Sequence, residues 1–334
     1  MATKWKNYSR RLTKEKKVIS LGELAKKLKN EESVAIFCHV RPDGDCIGSA
    51  LALSLALKHL GRKADVFCDD QIPSRFLFLN SIKEIKNEIT EEYSAYCAID
   101  SGDLTRLGDF ASVFLSHKNT FNIDHHVSNP RYANVNYVFD NASNSENIYA
   151  LIMEMNVEVS EEMANLLAMG IMTDTGNFRH KNVTPNTFFI ASKLVEKGAD
   201  VNEIYYHMFS AQSKARAKLF GKTMSKIRYL LDDRFAVISV TQKDLEETNA
   251  LADETEGFID FIMGIHGVEV GASVLEIDKN KFKISFRSKK ANVSEVAGAF
   301  GGGGHILASG CQIHGEYEEV IDKIRFEVSK QLID

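Results

Sequence analysis

The chain has 334 residues, more than one hydrophobic core usually serves, so we expect two domains. Its 44% hydrophobic and 26% charged residues are typical of a globular protein rather than of a disordered or fibrous one. The net charge of -5 provides no overall attraction to nucleic acid or to an anionic membrane, so local positive charge or metal would have to hold any phosphate-bearing substrate.

The cysteines and the apolar segments bear on the cellular compartment. No two cysteines form a C-x-x-C pair and most lie in apolar stretches, so we interpret them as reduced core residues of a cytoplasmic protein. The longest apolar stretches are too short or too interrupted to span a bilayer, and no signal-peptide region follows the N-terminus, so no membrane partner is expected. The cysteines are Cys38, Cys46, Cys68, Cys97 and Cys311.

The N-terminal segment, residues 1–17, is rich in lysine and arginine and contains one acidic residue, Glu15. A basic arm that contacts RNA is one interpretation, and a solvated terminus is the preferred one. The segment is followed by Ser20 and Glu23, whose spacing matches a capping box. A helix is therefore predicted from this point to about Asn30.

The next part of the chain predicts a parallel sheet. A strand at 33–38 leads through a turn into residues 50–57, which are apolar on nearly all sides and therefore predict a buried helix. A second strand follows at 64–68. The order strand, helix, strand indicates a βαβ unit with parallel strands and a right-handed crossover.

Acids and histidines follow the ends of several predicted strands. His39 ends the first strand, Asp100 ends a strand at 93–99, and Asp124-His125-His126 follows a strand at 120–123. Because the carboxyl ends of parallel strands meet at one edge, these side chains should collect where open α/β sheets bind ligands. A helix capped by Ser160 and predicted over 163–172 brings Thr173-Asp174-Thr175-Gly176 to the same region, and a further helix is predicted over about 187–197.

The rest of the chain predicts a second region. The pattern divides the chain into a catalytic metal-binding domain at 1–212, a linker helix at 213–229, and a smaller α/β domain for substrate binding at 230–334. Strands are predicted near 235–240 and 268–277. Residues 281–287 alternate strictly, so Phe282, Ile284 and Phe286 should face a core.

The opposite face of that strand carries polar and basic side chains. A solvated sheet face is the default interpretation of Lys281, Lys283, Ser285 and Arg287. The loop that follows, Phe300 to His305, contains four consecutive glycines, whose backbone N–H groups can approach an anion closely. A flexible hinge is the alternative interpretation of this glycine run.

The acids and histidines together suit a metal site. Four carboxylates and two imidazoles in a compact cluster would repel one another unless divalent cations were bound, and the absence of thiolate favours Mn²⁺, then Mg²⁺ or Zn²⁺. Two such cations suit in-line attack by water on phosphorus. The six residues are His39, Asp43, Asp45, Asp100, His125 and Asp174.

These motifs, in this order, resemble the DHH phosphoesterase superfamily over nearly the whole chain. The resemblance covers His39-x-x-x-Asp43-x-Asp45-x-x-Gly48-Ser49, Asp100, Asp124-His125-His126 and Thr173-Asp174-Thr175-Gly176. Arg287-Ser288 and the glycine run ending at His305 resemble the DHH-associated domain of the oligoribonuclease branch. The resemblance implies a metal-dependent phosphoesterase for very short RNA (nanoRNA) that also acts on adenosine 3′,5′-bisphosphate.

The resemblance also implies a role for each matching residue. His39 and Asp43 would bind one metal, Asp45, His125 and Asp174 the other, and Asp100 would bridge both. His126 would contact the scissile phosphate and protonate the leaving oxygen, and Asp124 would orient a ligand. Arg106 is a candidate phosphate or base contact, with an ordinary surface arginine as the alternative. The substrate residues of the second region would be Arg287, Ser288, Gly302, Gly303, Gly304 and His305.

Other functions remain open at this point. The same metal site would serve a pyrophosphatase or exopolyphosphatase, or an enzyme that cleaves linear dinucleotides made from cyclic ones. A nucleotide-binding regulator without catalysis is the alternative of a different class, and the intact ligand set argues against it. The expected partner is a short RNA or nucleotide, and the oligomeric state is left open, with a homodimer among the alternatives.

Overall fold

The computed structural model of the protein describes residues 17–332, and the basic residues before Lys17 lie outside them. The chain divides into two compact units between Ala211 and Gln212. The helix predicted as a linker is described at Lys214–Met224, within the second unit. The predicted boundaries 1–212, 213–229 and 230–334, and the linker role of this helix, stay predictions.

The first unit is built on a six-stranded sheet in which every pair of neighbouring strands is parallel. Its strand order is β1-β6-β5-β4-β2-β3, so the chain moves outward in both directions from β2. Helical crossovers make this arrangement possible, because parallel neighbours need long connections. The strands are β1 (Lys17–Val18), β2 (Ser33–Phe37), β3 (Lys63–Phe67), β4 (Ala95–Ile99), β5 (Thr120–Asp124) and β6 (Val135–Val138).

Helices flank this sheet, as predicted for the fold class. The helix that begins after the Asp43 turn is buried on nearly all sides, as its sequence indicates. A Cβ atom at Gly48 would lie 2.2 Å from the carbonyl oxygen of Leu166, so only glycine allows the two crossing helices to pack this closely. The helices are α1 (Leu21–Asn30), α2 (Gly44–His59), α3 (Phe110–Ser116), α4 (Asn144–Glu154), α5 (Glu161–Asp174), α6 (Pro185–Glu196) and α7 (Val201–Tyr205).

The three strands that precede the predicted site residues end level with one another. Phe37 of β2 pairs with Ala98 of β4, and Ile99 of β4 pairs with Ile123 of β5. The residues that follow these strands therefore emerge at one edge of the sheet. The predicted clustering of acids and histidines at this edge follows directly from the register.

The second unit contains a separate six-stranded sheet in the order β11-β12-β10-β9-β8-β7. Only β8 and β9 run parallel among its paired strands, and the others are antiparallel. The strands are β7 (Arg228–Leu230), β8 (Phe235–Val240), β9 (Val270–Asp278), β10 (Lys281–Ser288), β11 (Gly303–His305) and β12 (Ala308–His314). The helices are α8 (Lys214–Met224), α9 (Gln242–Thr248), α10 (Phe258–Met263), α11 (Val293–Gly298) and α12 (Tyr317–Ser329).

The two faces of the second sheet differ along β10. Phe282, Ile284 and Phe286 are buried in one core, which confirms the alternation predicted from the sequence. Lys283 and Arg287 are exposed on the other face. Helices pack on both faces of this mixed sheet, which completes the predicted α/β class for both units.

The glycine segment is only partly a loop, and the prediction of a loop through His305 was wrong. Gly303 to His305 form the edge strand β11, which pairs with Gly310 to Ala308. A Cβ at Gly302 would lie 2.2 Å from the carbonyl oxygen of Gly310, so the missing side chain permits this close pairing. The glycines therefore have a packing role that the composition of the segment does not reveal.

The five cysteines are all buried and unpaired, as predicted for reduced core residues. Among residues 17–332, no helix is long and apolar enough to cross a membrane.

Candidate active site

His39 follows β2 and is almost completely buried at the carboxyl edge of the first sheet. Its Nδ1 lies 2.9 Å from the carbonyl oxygen of Val40, an acceptor that favours the tautomer with the proton on Nδ1 and the lone pair on Nε2. Nε2 lies 3.6 Å from Oδ2 of Asp43 and 3.7 Å from Oδ2 of Asp100. Burial opposes charge on this ring, but the neighbouring groups of Cys46, Asp100 and Asp43 raise the pKa of His39.

The two carboxylate oxygens of Asp43 have different surroundings. Oδ1 accepts the backbone N–H of Cys46 at 3.0 Å and so caps the N-terminus of α2. Oδ2 is directed at His39, and 48% of the side chain is exposed. The helix cap thus fixes the carboxylate while one oxygen stays directed at the site.

Asp45 lies in the first turn of α2 and is completely buried. Its Oδ2 accepts the N–H of Asn144 at 2.6 Å, and its Oδ1 accepts the N–H of Ser145 at 2.8 Å. The hydroxyl of Ser49 donates to Oδ1 at 3.4 Å. Burial raises the pKa of Asp45 well above its usual range, while the hydrogen bond from Ser145 opposes this shift. The N-terminus of α4 therefore holds this carboxylate in place.

The helix that supplies those amides is absent from the sequence predictions. Ser143 caps it and stands three residues before Glu146, which is the spacing of a capping box and would have located the helix. The helix approaches α5 closely at one point. A Cβ at Gly170 would lie 2.0 Å from Oγ of Ser145 and 2.7 Å from Oδ1 of Asp45. Glycine at this position is therefore part of what allows the Asp45 cluster to form.

Asp100 faces two histidines at once. It follows β4 with a φ of 51°, a left-handed conformation that aspartate tolerates better than most residues. Its Oδ2 lies 3.7 Å from Nε2 of His39, and its Oδ1 lies 3.4 Å from Nε2 of His125. Burial would raise the pKa of Asp100, but the imidazoles of His125 and His39 lower it to about 2. This carboxylate is the point where the two halves of the cluster meet.

His125 is oriented by a backbone acceptor in the same way as His39. Its Nδ1 lies 3.0 Å from the carbonyl oxygen of Asn141, which assigns the proton to Nδ1 and directs Nε2 at the carboxylates. Nε2 is 3.4 Å from Oδ2 of Asp174 as well as from Asp100. Burial would lower the pKa of His125, but Asp100 raises it to about 10.

His126, the next residue, has a carboxylate partner instead. Its Nδ1 donates to Oδ1 of Asp124 at 2.8 Å, and the hydrogen bond with Asp124 raises the pKa of His126. Asp124 is completely buried and also accepts a hydrogen bond from Nδ2 of Asn129 at 2.5 Å. About a third of the His126 side chain is exposed. Asp124 is therefore placed to orient His126.

Asp174 is the last residue of α5 and completes the group on the His125 side. Burial, together with the negative charge of Asp100, raises the pKa of Asp174 to about 6. Its carbonyl oxygen accepts a hydrogen bond from Nδ2 of Asn182 at 3.2 Å, which ties the following loop to the helix end.

Two further side chains approach His39. Nη2 of Arg106 lies 3.0 Å from Nδ1 and 3.2 Å from Nε2 of its ring, so the structure brings this predicted residue to the site. Sγ of Cys46 accepts the N–H of His39 at 3.3 Å. Burial raises the pKa of the Cys46 thiol well above its usual range.

The donor set fits divalent cations. Buried Oδ1 of Asp100 has no well-formed hydrogen bond from any described residue, and ring nitrogens of His39 and His125 face the Asp100 carboxylate from two sides. Imidazole and carboxylate ligands of this kind bind Mn²⁺, Mg²⁺ or Zn²⁺. Three groups have ligand atoms within 4.8 Å of one another: His39, Cys46 and Asp100; Asp100, His125 and His126; and Asp45, His125 and Asp174.

The predicted substrate residues of the second unit lie together on its sheet. Arg287 of β10 pairs with Ala308 of β12, which pairs in turn with His305 of β11, so Arg287 and His305 share one row and one face. Ser288 is nearly buried and alternates with Arg287 along β10, so it faces the side of Phe286. Gly302 to Gly304 are exposed at the edge of the sheet, where β12 separates β11 from β10. A pocket of about 330 Å³ on the Arg287 face is lined by Lys283, Ser285 and Arg287 and by residues 252, 253 and 255–257.

Two family models match the chain. The N-terminal domain of the DHH family matches residues 33–171, and the DHHA1 domain matches residues 232–333. A bifunctional oligoribonuclease and PAP phosphatase NrnA from Thermus thermophilus is 31% identical over 311 residues, which are 90% of this chain and 91% of that protein. The chain belongs to the DHH family.

Other DHH-family proteins are similar over comparable lengths. The bifunctional oligoribonuclease and PAP phosphatase NrnA from Bacillus subtilis is 27% identical and covers 87% of this chain and 93% of its own. The solved structure of an exopolyphosphatase-related protein from Bacteroides fragilis is 27% identical, with a TM-score of 0.80 and coverage of 93% of this chain and 95% of that one. The resemblance to the DHH family that the motifs indicate is therefore confirmed.

Proposed function

We propose that this chain is a two-metal phosphoesterase that hydrolyses short oligoribonucleotides to 5′-mononucleotides and dephosphorylates adenosine 3′,5′-bisphosphate. The observation that carries the proposal is the position of Asp100, whose two oxygens face His39 on one side and His125 on the other. The names of the Thermus thermophilus and Bacillus subtilis relatives support this choice of substrates.

The proposed metal ligands divide into two sets that share Asp100. His39 and Asp43 would hold one divalent cation, and Asp45, His125 and Asp174 would hold the other. When bound, such a pair lowers the pKa of an attacking water and stabilises negative charge on the phosphate oxygens. Mn²⁺ is the preferred candidate because the ligands are oxygen and imidazole, with Mg²⁺ and Zn²⁺ as alternatives.

Three other side chains of the first unit would act on the substrate directly or through a neighbour. His126, held by Asp124 and partly exposed, would donate a proton from its ring to the leaving oxygen. Arg106, whose guanidinium lies beside His39, would bind a phosphate oxygen or a base. Asp124 would keep His126 protonated and correctly oriented.

The proposed substrate contacts in the second unit add binding energy without chemistry. Arg287 and His305 share a face of the sheet, and Gly303 leaves the backbone of β11 open to a ligand. A guanidinium on the same face of a sheet as an edge strand with accessible backbone suits a phosphate-bearing ligand that spans both. Together with Ser288, Gly302 and Gly304, these residues would hold the part of the nucleotide that does not react.

A pyrophosphatase or exopolyphosphatase is the second candidate function. It is favoured by the name of the Bacteroides fragilis protein, which is described as exopolyphosphatase-related. The resemblance of the Gly301–His305 segment to the DHH-associated domain of the oligoribonuclease branch argues for a nucleotide instead.

One assay panel tests the proposal. Purified protein with Mn²⁺ should be given RNAs of two to five nucleotides, adenosine 3′,5′-bisphosphate, linear dinucleotides derived from cyclic ones, pyrophosphate and polyphosphate. Release of 5′-mononucleotides from RNA and of phosphate from the bisphosphate is expected, with Asp100→Asn protein, purified identically, as the control for contaminating nuclease. Activity on pyrophosphate or polyphosphate alone would replace the proposal with the second candidate, and activity on none would favour a nucleotide-binding regulator.

We also propose a cytoplasmic location, because five buried and unpaired cysteines suit a reducing compartment.

A further inference from the structure

The segment after Asp174 has an unusual backbone. Gly176, Asn177 and Phe178 have consecutive φ angles of 54°, 57° and 62°. The first of these is an ordinary left-handed helix end, because Asn177 N–H reaches back to the carbonyl of Met172 at 2.6 Å. A bulky residue such as Phe178 rarely adopts this conformation, and strain of this kind concentrates at active sites and ligand-binding segments.

The left-handed turn places the ring of Phe178 against the ring of Phe188. The rings of Phe178 and Phe188 are stacked, with centroids 5.4 Å apart and planes 19° from parallel. Phe178 packs against the core of the first unit, whereas Phe188 is 56% exposed. The hydroxyl of Thr175 holds the turn by accepting the N–H of Phe178 at 3.1 Å. The outer side of the Phe188 ring is therefore a rigid aromatic surface open to solvent.

The aromatic pair is anchored to the segments next to two proposed metal ligands, Asp45 and Asp174. Nδ2 of Asn182 donates both to the carbonyl of Asp174, at 3.2 Å, and to that of Ala142, at 2.9 Å. These bonds tie the turn that carries Phe178 to the chain just before α4, the helix whose amides hold Asp45.

A second link joins α6, which carries Phe188, to α4. The hydroxyl of Thr187 and Nδ2 of Asn186 donate to the buried carboxylate of Glu146, at 2.8 Å and 3.3 Å. Glu146 directly follows Ser145, whose N–H binds Asp45. Both rings are thus fixed relative to the site by hydrogen bonds to the same helix N-terminus.

Basic side chains lie next to this aromatic pair in the chain. Arg179, His180 and Lys181 follow Phe178 directly and are all exposed. Nε of Arg179 donates to the carbonyl of Gly176 at 2.9 Å, which fixes its position beside the turn. A nucleotide combines a flat aromatic base with anionic phosphate, and both properties are matched here.

We propose that Phe188, backed by Phe178, is a stacking surface for one nucleobase of the substrate. This inference rests on the proposed function and adds to it the residue that recognises a base. Since every base has a π face, such a surface would accept all four nucleotides and would suit an enzyme that removes short RNAs of any sequence.

Phe188→Ala is the test, and Phe189→Ala is its matched control. Phe189 is 57% exposed and lies on the same helix, but its ring faces Nζ of Lys193 at 5.9 Å rather than Phe178. With a ribodinucleotide, Phe188→Ala should raise KM by about 5- to 150-fold, the range expected when one stacked base is lost. Phe189→Ala should leave KM unchanged, and Phe188→Trp should preserve it.

Two comparisons decide between stacking and a general structural effect. The first comparison uses two dinucleotides, each lacking one of its two bases. If Phe188 stacks on one base, wild type and Phe188→Ala should have the same KM for the dinucleotide that lacks that base. Calorimetric binding of AMP and ribose 5-phosphate gives a readout independent of turnover, and only AMP binding should weaken in Phe188→Ala. Equal losses for AMP and ribose 5-phosphate, equal losses in Phe188→Ala and Phe189→Ala, or no loss in either would overturn the stacking role. Weaker AMP binding in Phe188→Ala, with wild-type protein inactive on every RNA, would overturn the proposed function while supporting the base-binding surface.

Discussion

Oδ1 of Asp124 accepts a hydrogen bond from Nδ1 of His126 at 2.8 Å, and this carboxylate is completely buried. The neighbouring His125 donates its Nδ1 proton to the backbone carbonyl of Asn141 instead. A carboxylate partner favours the charged imidazolium, whereas the carbonyl partner on Nδ1 of His125 directs Nε2 at Asp100 and Asp174, where a metal would bind. The two adjacent histidines are thus prepared for different tasks.

The first prediction concerns the pH dependence of turnover. Because the hydrogen bond with Asp124 raises the pKa of His126, Asp124→Asn should lower that pKa. A proton donor loses activity as the pH rises through its pKa, so the alkaline fall in kcat should move to lower pH in Asp124→Asn. His126→Ala should lower kcat by about 10²- to 10⁴-fold, the usual worth of general acid catalysis.

Metal content separates this role from metal binding. His126→Ala and Asp124→Asn should retain both metal equivalents by elemental analysis, whereas His125→Ala should not. Comparable metal loss in His126→Ala and His125→Ala would show that both histidines are ligands, which their shared proximity to Asp100 would then explain.

The second prediction concerns the proposed bridge. Asp100→Asn should reduce metal content and lower turnover by several orders of magnitude, because one carboxylate faces both histidines. Asparagine is the cleaner substitution, since it tolerates the left-handed φ of 51° at this position, whereas alanine would add backbone strain. Measured with Mn²⁺ in excess, full activity and two bound metals in Asp100→Asn would rule out the bridging role.

The third prediction separates substrate binding from chemistry. Arg287→Ala should weaken kcat/KM for a dinucleotide by about 1.5–3 kcal/mol, the worth of a hydrogen bond from a charged group. A small artificial phosphodiester that lacks the group bound by Arg287 should be cleaved by Arg287→Ala almost as well as by wild type. Lys281→Ala is the control, because Lys281 is on the same strand but does not line the pocket. Equal losses on both substrates would mean that Arg287 supports the fold.

The fourth prediction uses the glycines of the β11 region. A Cβ at Gly303 would meet no atom within 4 Å and its φ is not left-handed, so nothing in the fold requires glycine there. Gly303→Ala should change the free energy of unfolding by less than about 0.5 kcal/mol, yet lower kcat/KM on RNA if a ligand approaches this backbone. Gly302→Ala should lower stability by about 1–3 kcal/mol, because its Cβ would collide with Gly310. Unchanged kcat/KM in Gly303→Ala would remove this residue from the substrate site.

The fifth prediction concerns the stability of the second unit. Asp244 is nearly buried and accepts hydrogen bonds from Lys222 at 2.7 Å and from Lys226 at 3.1 Å. Burial alone would raise the pKa of Asp244, but the bonds from Lys222, Thr241 and Lys226 lower it. A depressed carboxyl pKa contributes stability above the unfolded-state value of about 3.9, and this contribution is lost as the pH falls through the folded-state pKa.

Asp244→Asn should therefore lower the free energy of unfolding at pH 7 by about 1.5–3 kcal/mol, as for other hydrogen bonds to charged groups. The deficit should stay constant above about pH 5 and shrink below about pH 4, since wild type then begins to lose the same contribution. Urea denaturation across this range measures both, with the exposed Asp232→Asn as the control. A deficit independent of pH would assign the loss to packing rather than to charge.

Which acids and histidines would meet could be predicted from the strand pattern of the sequence. A parallel strand delivers its last residue to the carboxyl edge whatever surrounds it, so His39, Asp100 and Asp124 could be placed together from strand order alone. The alternation of Phe282, Ile284 and Phe286 likewise predicted a buried face, because successive side chains of a strand point to opposite faces of the sheet. The family motifs added their proposed roles.

The groups that hold those residues in place could not be predicted, because they come from distant parts of the chain. Asp45 is bound by the amides of Asn144 and Ser145, 99 and 100 residues further along, and His39 meets Arg106 across 67 residues. Such partners depend on where α4 and the Leu104–Leu107 turn dock against the sheet, and docking is determined by packing between elements far apart in the chain. The hydrophobic period of a segment predicts whether it forms a helix or a strand, but not which distant element packs against it. These contacts are therefore visible only in the folded molecule.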